Sequence, residues 1–172
     1  MICQRPAINH LIIISGGQTG ADRAALDWAI ASGIPHEGWC PRGRRAEDGL
    51  LDARYLLKET LSANYLHGTE WNVRNSQATV LFCLAPKLTG GSLKTAALAR
   101  KHCKLLLHLT AAAALPHGQV LRDFVAVNRI QRLNVAGPRA SKEPGVAAFV
   151  REVLDQAFVF TPAKMVNPGI IK

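Results

Sequence analysis

Residues 11–14 read Leu-Ile-Ile-Ile, with no polar position among them. A run without alternation predicts a strand buried on both faces, as in a parallel sheet. Residues 21–31 are rich in alanine and predict a helix, so the glycines between the two runs form a strand-to-helix turn. The same rhythm recurs downstream. A short extended piece at 36–40 is bounded by Gly33 and Pro41, and an apolar strand at 78–84 follows a short helix at 70–76. A helix at 93–102, a strand at 104–109, a helix at 119–130 and a strand at 132–136 come next. Val120, Leu121, Phe124 and Val125 fall on one face of the 119–130 helix. In the last helix Val146, Phe149, Val150, Val153, Leu154 and Ala157 recur at helical spacing, and Pro144 suits its first turn. Residues 41–49 form a charged loop, and the stretch from there to Gly68 reads as irregular or partly helical.

Five strands separated by helices predict an α/β fold, a doubly wound and mainly parallel sheet with helices on both faces. One domain is expected over residues 1–160. The tail at 161–172, with Pro162, Pro168 and Gly169, reads as irregular, either disordered or packed on another subunit. A chain of 172 residues with 48% hydrophobic positions can bury roughly 70% of its unfolded surface in one core. No stretch reaches the ~18 apolar residues of a membrane span, since 104–115 is broken by His108 and Thr110. The N-terminus, with Arg5 and Pro6, leads into a strand rather than resembling a signal peptide, which makes the cytoplasm the default location.

Charge narrows the partners. Lys and Arg number 21 against 12 Asp and Glu, a net +9 that favours an anion. Cys3, Cys40, Cys83 and Cys103 form no CxxC pair, and the six histidines form no HxxxH or HExxH pattern, so no metal site is expected. Cys83 reads as a buried strand thiol. Cys40, beside an arginine-rich loop, is either a thiol of lowered pKa or a small apolar filler.

The candidate chemistry lies in the turns. Gly16-Gly17-Gln18-Thr19-Gly20 joins the first strand to its helix, and Asp22 and Arg23 stand in the first helical turn. A helix N-terminus offers unpaired N–H groups and partial positive charge, a natural anion seat. The run lacks the residues of the GxGxxG and GxxxxGK[ST] motifs. A second glycine turn, Gly90-Gly91-Ser92, follows the 78–84 strand, with Thr95 one turn on. Ser92 and Thr95 can cap that helix, donate to a phosphate, or both. If the first strand and the 78–84 strand are neighbours where strand order reverses, the two turns face each other across one crevice. Arg42, Arg44 and Arg45 follow the second strand, and arginine's planar fork suits phosphate. Glu47 and Asp48 can hold these arginines or meet donors on a ligand. Arg74 and Arg139 precede and follow buried strands, and Trp39 is the best candidate to stack on a ring.

Five stretches, SGGQTGADRAALD at 15–27, GWCPRGRRAEDG at 38–49, LKET at 57–60, TEWNVRN at 69–75 and LNVAGPR at 133–139, resemble the putative molybdenum carrier family in that family's order. The resemblance spans roughly residues 11–158. It implies a Rossmann-like fold related to the cytokinin-activating phosphoribohydrolases and the lysine-decarboxylase-like group. It also implies a homo-oligomer, dimer or tetramer, and the binding of molybdenum cofactor, a pterin carrying a phosphate and a dithiolene-held metal. The phosphoribohydrolases carry a PGGxGTxxE motif whose glutamate assists cleavage. The matching loop here, TGGSLKTAAL at 89–98, keeps the paired glycines and a threonine but has no acid in that turn, so no catalytic residue is assigned. The favoured expectation is a carrier for a phosphorylated or oxoanionic small molecule. Enzymatic action on a nucleotide-derived substrate is the alternative, and nucleic-acid binding ranks third because no basic run is interleaved with aromatics.

Overall fold

The computed structural model describes residues 10–158, and the tail expected at 161–172 lies outside them. In chain order the elements are β1 (Ile12–Ile14), α1 (Ala21–Ala31), β2 (His36–Cys40), β3 (Arg45–Ala46), β4 (Gly49–Leu50), β5 (Leu57–Glu59) and α2 (Tyr65–Arg74). They continue with β6 (Ala78–Cys83), α3 (Gly90–Lys101), β7 (Leu105–Thr110), α4 (His117–Val127), β8 (Arg132–Ala136) and α5 (Val146–Phe158). Six strands form one sheet in the order β5-β2-β1-β8-β6-β7, and every pairing in it is parallel. Helices α1, α4 and α5 pack together on one face, and α2 and α3 on the other. This is a Rossmann-like α/β arrangement.

Burial explains why the strands form where they do. All six residues of β6 are buried, as a central parallel strand with both faces covered requires. Ile13, Val80, Phe82, Leu133 and Val135 form the centre of the core, together with the apolar stripe of α5. Phe82 meets the Phe149 ring edge-on at 5.7 Å between centroids. A smaller apolar cluster of Leu26, Cys40, Leu51, Tyr55 and Leu57 supports the β2–β5 end.

The fold class is as expected, and four details differ. The sheet has six strands rather than about five, because β5 lies within the stretch read as irregular. A two-stranded antiparallel hairpin, β3–β4, occupies the arginine loop, and α2 begins at Tyr65 rather than at 70. Finally, β1 and β6 are not neighbours, because β8 lies between them and pairs with both. Taken with β8 as its first strand, the sheet has an ordinary doubly wound order whose halves diverge between β8 and β6.

Candidate functional site

With all strands of the main sheet parallel, their following loops gather at one edge, where ligands of such sheets bind. A cleft of about 650 Å³ opens there. Because β8 separates β1 from β6, the loop after β8 sits between the two glycine loops. Its approach to the first is close. A Cβ on Gly20 would stand 2.4 Å from Pro138 O, and Gly20 has φ +81°, so only glycine fits. Gly17 also has positive φ, but its missing Cβ faces Leu57 Cδ1 at 2.8 Å and Leu51 rather than the cleft.

The cleft brings together many of the candidate residues. Gly16, Gln18 and Asp22 line it from the first loop, and Gly90, Gly91, Ser92 and Thr95 from the second, while Arg139 comes from the loop after β8. The opening of α3 suits an anion. No helix N–H is capped by the Thr89 side chain, and no acid stands in the first turn. The amides of Gly90, Gly91 and Ser92 have no intrahelical acceptor, as in any first turn. A Cβ on Gly91 would meet nothing within 4 Å. Lys94 and Lys142 add positive charge to the lining. The Thr95 hydroxyl donates to Gly91 O at 3.0 Å, which holds that turn.

The first glycine loop is arranged differently. Asp22 lies against it, and N–H groups of Gln18, Gly16 and Gly137 bond its carboxyl. The loop's amides therefore already serve an internal carboxylate. Burial pushes the Asp22 carboxyl up to about 7, against the lowering effect of those bonds and of Arg23. An ionisable acid held near neutrality at a cleft wall can accept from a ligand N–H or exchange a proton with one.

The remaining charged candidates lie outside the lining, several of them with a partner. Arg23 forks onto Asp48 with two 3.1 Å bonds, and its Nε donates to Gly17 O at 2.9 Å. This pairing holds Asp48 below the usual carboxylate range. Glu47 accepts from Ser141 Oγ at 2.6 Å, from Ser141 N at 3.2 Å, and from the Thr19 hydroxyl. These bonds lower its pKa and strap the hairpin to the loop after β8. Arg42 and Arg45 are exposed on the charged loop. Arg44, between them, donates to the carbonyls of Leu57, Asp52 and Tyr55 at 2.9–3.1 Å, and so fastens the 51–57 segment. Arg74 lies over the Trp71 ring, 5.5 Å from its centroid.

Several residues of the site were not among the site candidates read from the sequence. Asn72 is buried and accepts from Trp39 N at 2.7 Å while donating to Trp39 O at 3.0 Å, so it docks α2 onto β2 as a further strand would. This holds Trp39 at the cleft, where its ring packs 4.7 Å from Trp71. Tyr65 lines the cleft beneath the Arg139 guanidinium, 5.0 Å from the ring centroid. Glu143 accepts from Leu84 N at 2.5 Å, closing the end of β6. The lowered pKa considered for Cys40 is corrected: the thiol is fully buried, and burial raises it beyond what Arg44 can offset. No helix is long and apolar enough to cross a membrane among the described residues.

The parallel sheet with its ligand-sized cleft at the strand ends defines a Rossmann-like binding domain. Residues 13–158 match the family described as the circularly permutated YpsA SLOG family, and the chain belongs to it. The permutation agrees with the topology, in which the strand that would open an ordinary doubly wound sheet comes last. The chain is also similar to a solved structure, the "Putative molybdenum carrier protein" of Syntrophus aciditrophicus SB. The two are 38% identical with a TM-score of 0.84, over 87% of this chain and 96% of that one. No curated protein matches the chain.

Proposed function

We propose that this chain binds, without converting, a phosphorylated or oxoanionic small molecule in the cleft, and that molybdenum cofactor is the ligand. The observation that carries the binding reading is the open first turn of α3 among Lys94, Lys142 and Arg139. Unpaired helix amides facing a basic cleft attract phosphate. The cofactor is named because a relative of 38% identity carries the molybdenum carrier description. The donor set suits such a ligand. Phosphate rests on the Gly90–Ser92 amides, Trp39 and Tyr65 offer aromatic surface to the pterin, and Asp22 accepts from a ring N–H. The metal is cargo and needs no protein ligand set of its own. A homo-oligomer in the cytoplasm, with neither membrane nor nucleic acid as partner, completes the proposal.

One observation favours a second reading. Asp22, with its carboxyl near 7, could act as acid or base on a nucleotide-derived substrate. Against it, Lys94, Thr95, Ala96 and Ala97 follow the second glycine turn, so the acid of the related hydrolases has no counterpart there.

Native mass spectrometry of protein purified from a host that makes the cofactor tests the carrier reading. The expected result is an added mass equal to the cofactor, lost in Gly91→Val, whose new side chain enters open space in the cleft. Only ligand-free protein from such a host would overturn it. Release of base from nucleoside 5′-monophosphates, lost in Asp22→Asn, would establish the enzyme reading instead.

A further inference from the structure

The floor of the cleft holds a polar side chain that the fold leaves half-satisfied. Asn134 stands in the middle of β8, opposite Ile14 of β1 on one side and Thr79 of β6 on the other. Asparagine is uncommon in strands. Its neighbours Leu133 and Val135 belong to the main core, with α1, α4 and α5. Strand alternation therefore turns Asn134 to the opposite face, where α2 and α3 pack. It lines the cleft there, although only 2% of it is accessible. Because β8 is paired on both sides, the side chain rather than the backbone makes that lining. Asn134 Nδ2 donates to Thr79 Oγ1 at 3.1 Å, and among the described residues nothing donates to Oδ1. The unpartnered side-chain atoms shut off from solvent there are Gln18 Nε2 and Glu37 Oε1, so Asn134 Oδ1 is open to the cleft. A nearly buried acceptor without a partner calls for an explanation.

Asp22 faces the same floor. A Cβ on Gly16 would stand 3.0 Å from Asp22 Oδ2 and 3.4 Å from Asn72 Nδ2 of α2, which puts the carboxyl on the α2 side of the sheet. Gly16 lies two residues beyond Ile14, the partner of Asn134. At ~3.3 Å per residue and ~4.8 Å between strands, positions 16 and 134 are about 8 Å apart. A few ligand atoms span the gap between the two acceptors.

We propose that Asn134 contacts the ligand, and that its Oδ1, beside the Asp22 carboxylate, takes a hydrogen-bond donor, a hydroxyl or a ring N–H, on the ligand's inner end. A tetrahedral oxoanion such as sulfate or molybdate carries acceptors alone and leaves the floor unpaired. A phosphate ester of an organic group that bears donors fills the anion seat and the floor together. A site with a buried acceptor rejects an analogue that lacks the matching donor, because that acceptor is then left without a partner. The inference rests on the cleft being the ligand site and adds the residue that reads the ligand's inner end.

Calorimetric titration at pH 8.5, where the Asp22 carboxyl is charged, tests it. The probes are inosine 5′-monophosphate, its 2′,3′-dideoxy form without the hydroxyls, and its N1-methyl form without the ring N–H, with sulfate as the control for the anion seat. The parent nucleotide should bind at least about tenfold more tightly than one of the two analogues, and the analogue that loses affinity identifies the donor as hydroxyl or ring N–H. Asn134→Leu should bring that ratio close to one and leave sulfate bound as before. Asn134→Asp keeps an oxygen at the floor and should keep the ratio. Equal affinities for the three nucleotides in the unmodified protein would overturn the inference and leave the anion seat standing, whether or not the variants fold. A ratio that survives Asn134→Leu would overturn it, as would one lost equally in Asn134→Asp. Equal loss of sulfate and nucleotide in Asn134→Leu would assign the residue to the fold alone. If neither nucleotide nor sulfate binds the unmodified protein, the proposed function falls with it.

Discussion

Replacing Asp22 with asparagine should make the protein more stable at alkaline pH, and the gain should vanish in acid. The folded protein holds this carboxyl at about 7 rather than 3.8, chiefly through burial. The folded state therefore binds the proton more tightly than the unfolded chain between those two values. The charge costs nothing below about pH 4, costs more as pH rises through that window, and costs most above pH 7. At about 1.4 kcal/mol per pH unit the full penalty is about 4 kcal/mol. Asparagine removes the charge but accepts less well from the amides of Gln18, Gly16 and Gly137, which returns about 1–2 kcal/mol. The net expectation is a variant more stable by about 2–3 kcal/mol at pH 8 and within about 1 kcal/mol of the parent at pH 4. Urea unfolding of both proteins at pH 4, 6 and 8, followed by tryptophan fluorescence, measures the difference, and titrations common to the two cancel. A difference that is constant with pH, or that moves in favour of the parent as pH rises, would refute the assignment of a buried charge to Asp22. The expected cost is one a protein keeps where function needs the group.

Other substitutions separate folding from binding. Gly20→Ala combines a φ of +81° with a Cβ 2.4 Å from Pro138 O and should destabilise by about 3 kcal/mol or more. A melting temperature within about 2 °C of the parent would contradict that. Arg139→Ala should weaken binding of a nucleoside monophosphate by about 1.5–3 kcal/mol, while Arg42→Ala and Arg45→Ala leave calorimetric affinity within about threefold, since neither lines the cleft. Equal losses in all three would return the loop arginines to the ligand. Arg44→Ala removes the guanidinium bonds to the 51–57 segment and should loosen its backbone so that trypsin cuts faster after the already exposed Arg54, with unchanged digestion as the contrary result.

What could be read along the chain was set by local pattern. The apolar runs of β1 and β6 and the stripe of α5 declare themselves because burial on both faces, or on one helical face, dictates the residue types. β5 escaped because only Leu57 of its three residues is buried, too little for any periodicity. The start of α2 was obscured by Gly68 inside it, although Asn64 does cap the helix by accepting from Leu66 N at 2.9 Å. The insertion of β8 between β1 and β6 is a long-range pairing that no local window contains. The glycine turns were legible as a group, but not which of them keeps free amides: Asp22 fills the first, and only the folded arrangement of Gly16, Gln18 and Gly137 reveals this. Likewise Arg42, Arg44 and Arg45 read alike along the chain, as arginines after the second strand that suit phosphate. In the fold Arg44 instead serves backbone carbonyls and Arg42 and Arg45 face solvent.

The central claim, that the first turn of α3 is the anion seat of a ligand cleft, is tested most directly by a crystal structure grown with inosine 5′-monophosphate. The account predicts phosphate oxygens about 2.7–3.2 Å from the amide nitrogens of Gly90, Gly91 and Ser92, with the ring directed toward Asp22. A phosphate seated on the Gly16–Gly20 loop in place of the Asp22 carboxylate, or bound only outside the cleft, would contradict it.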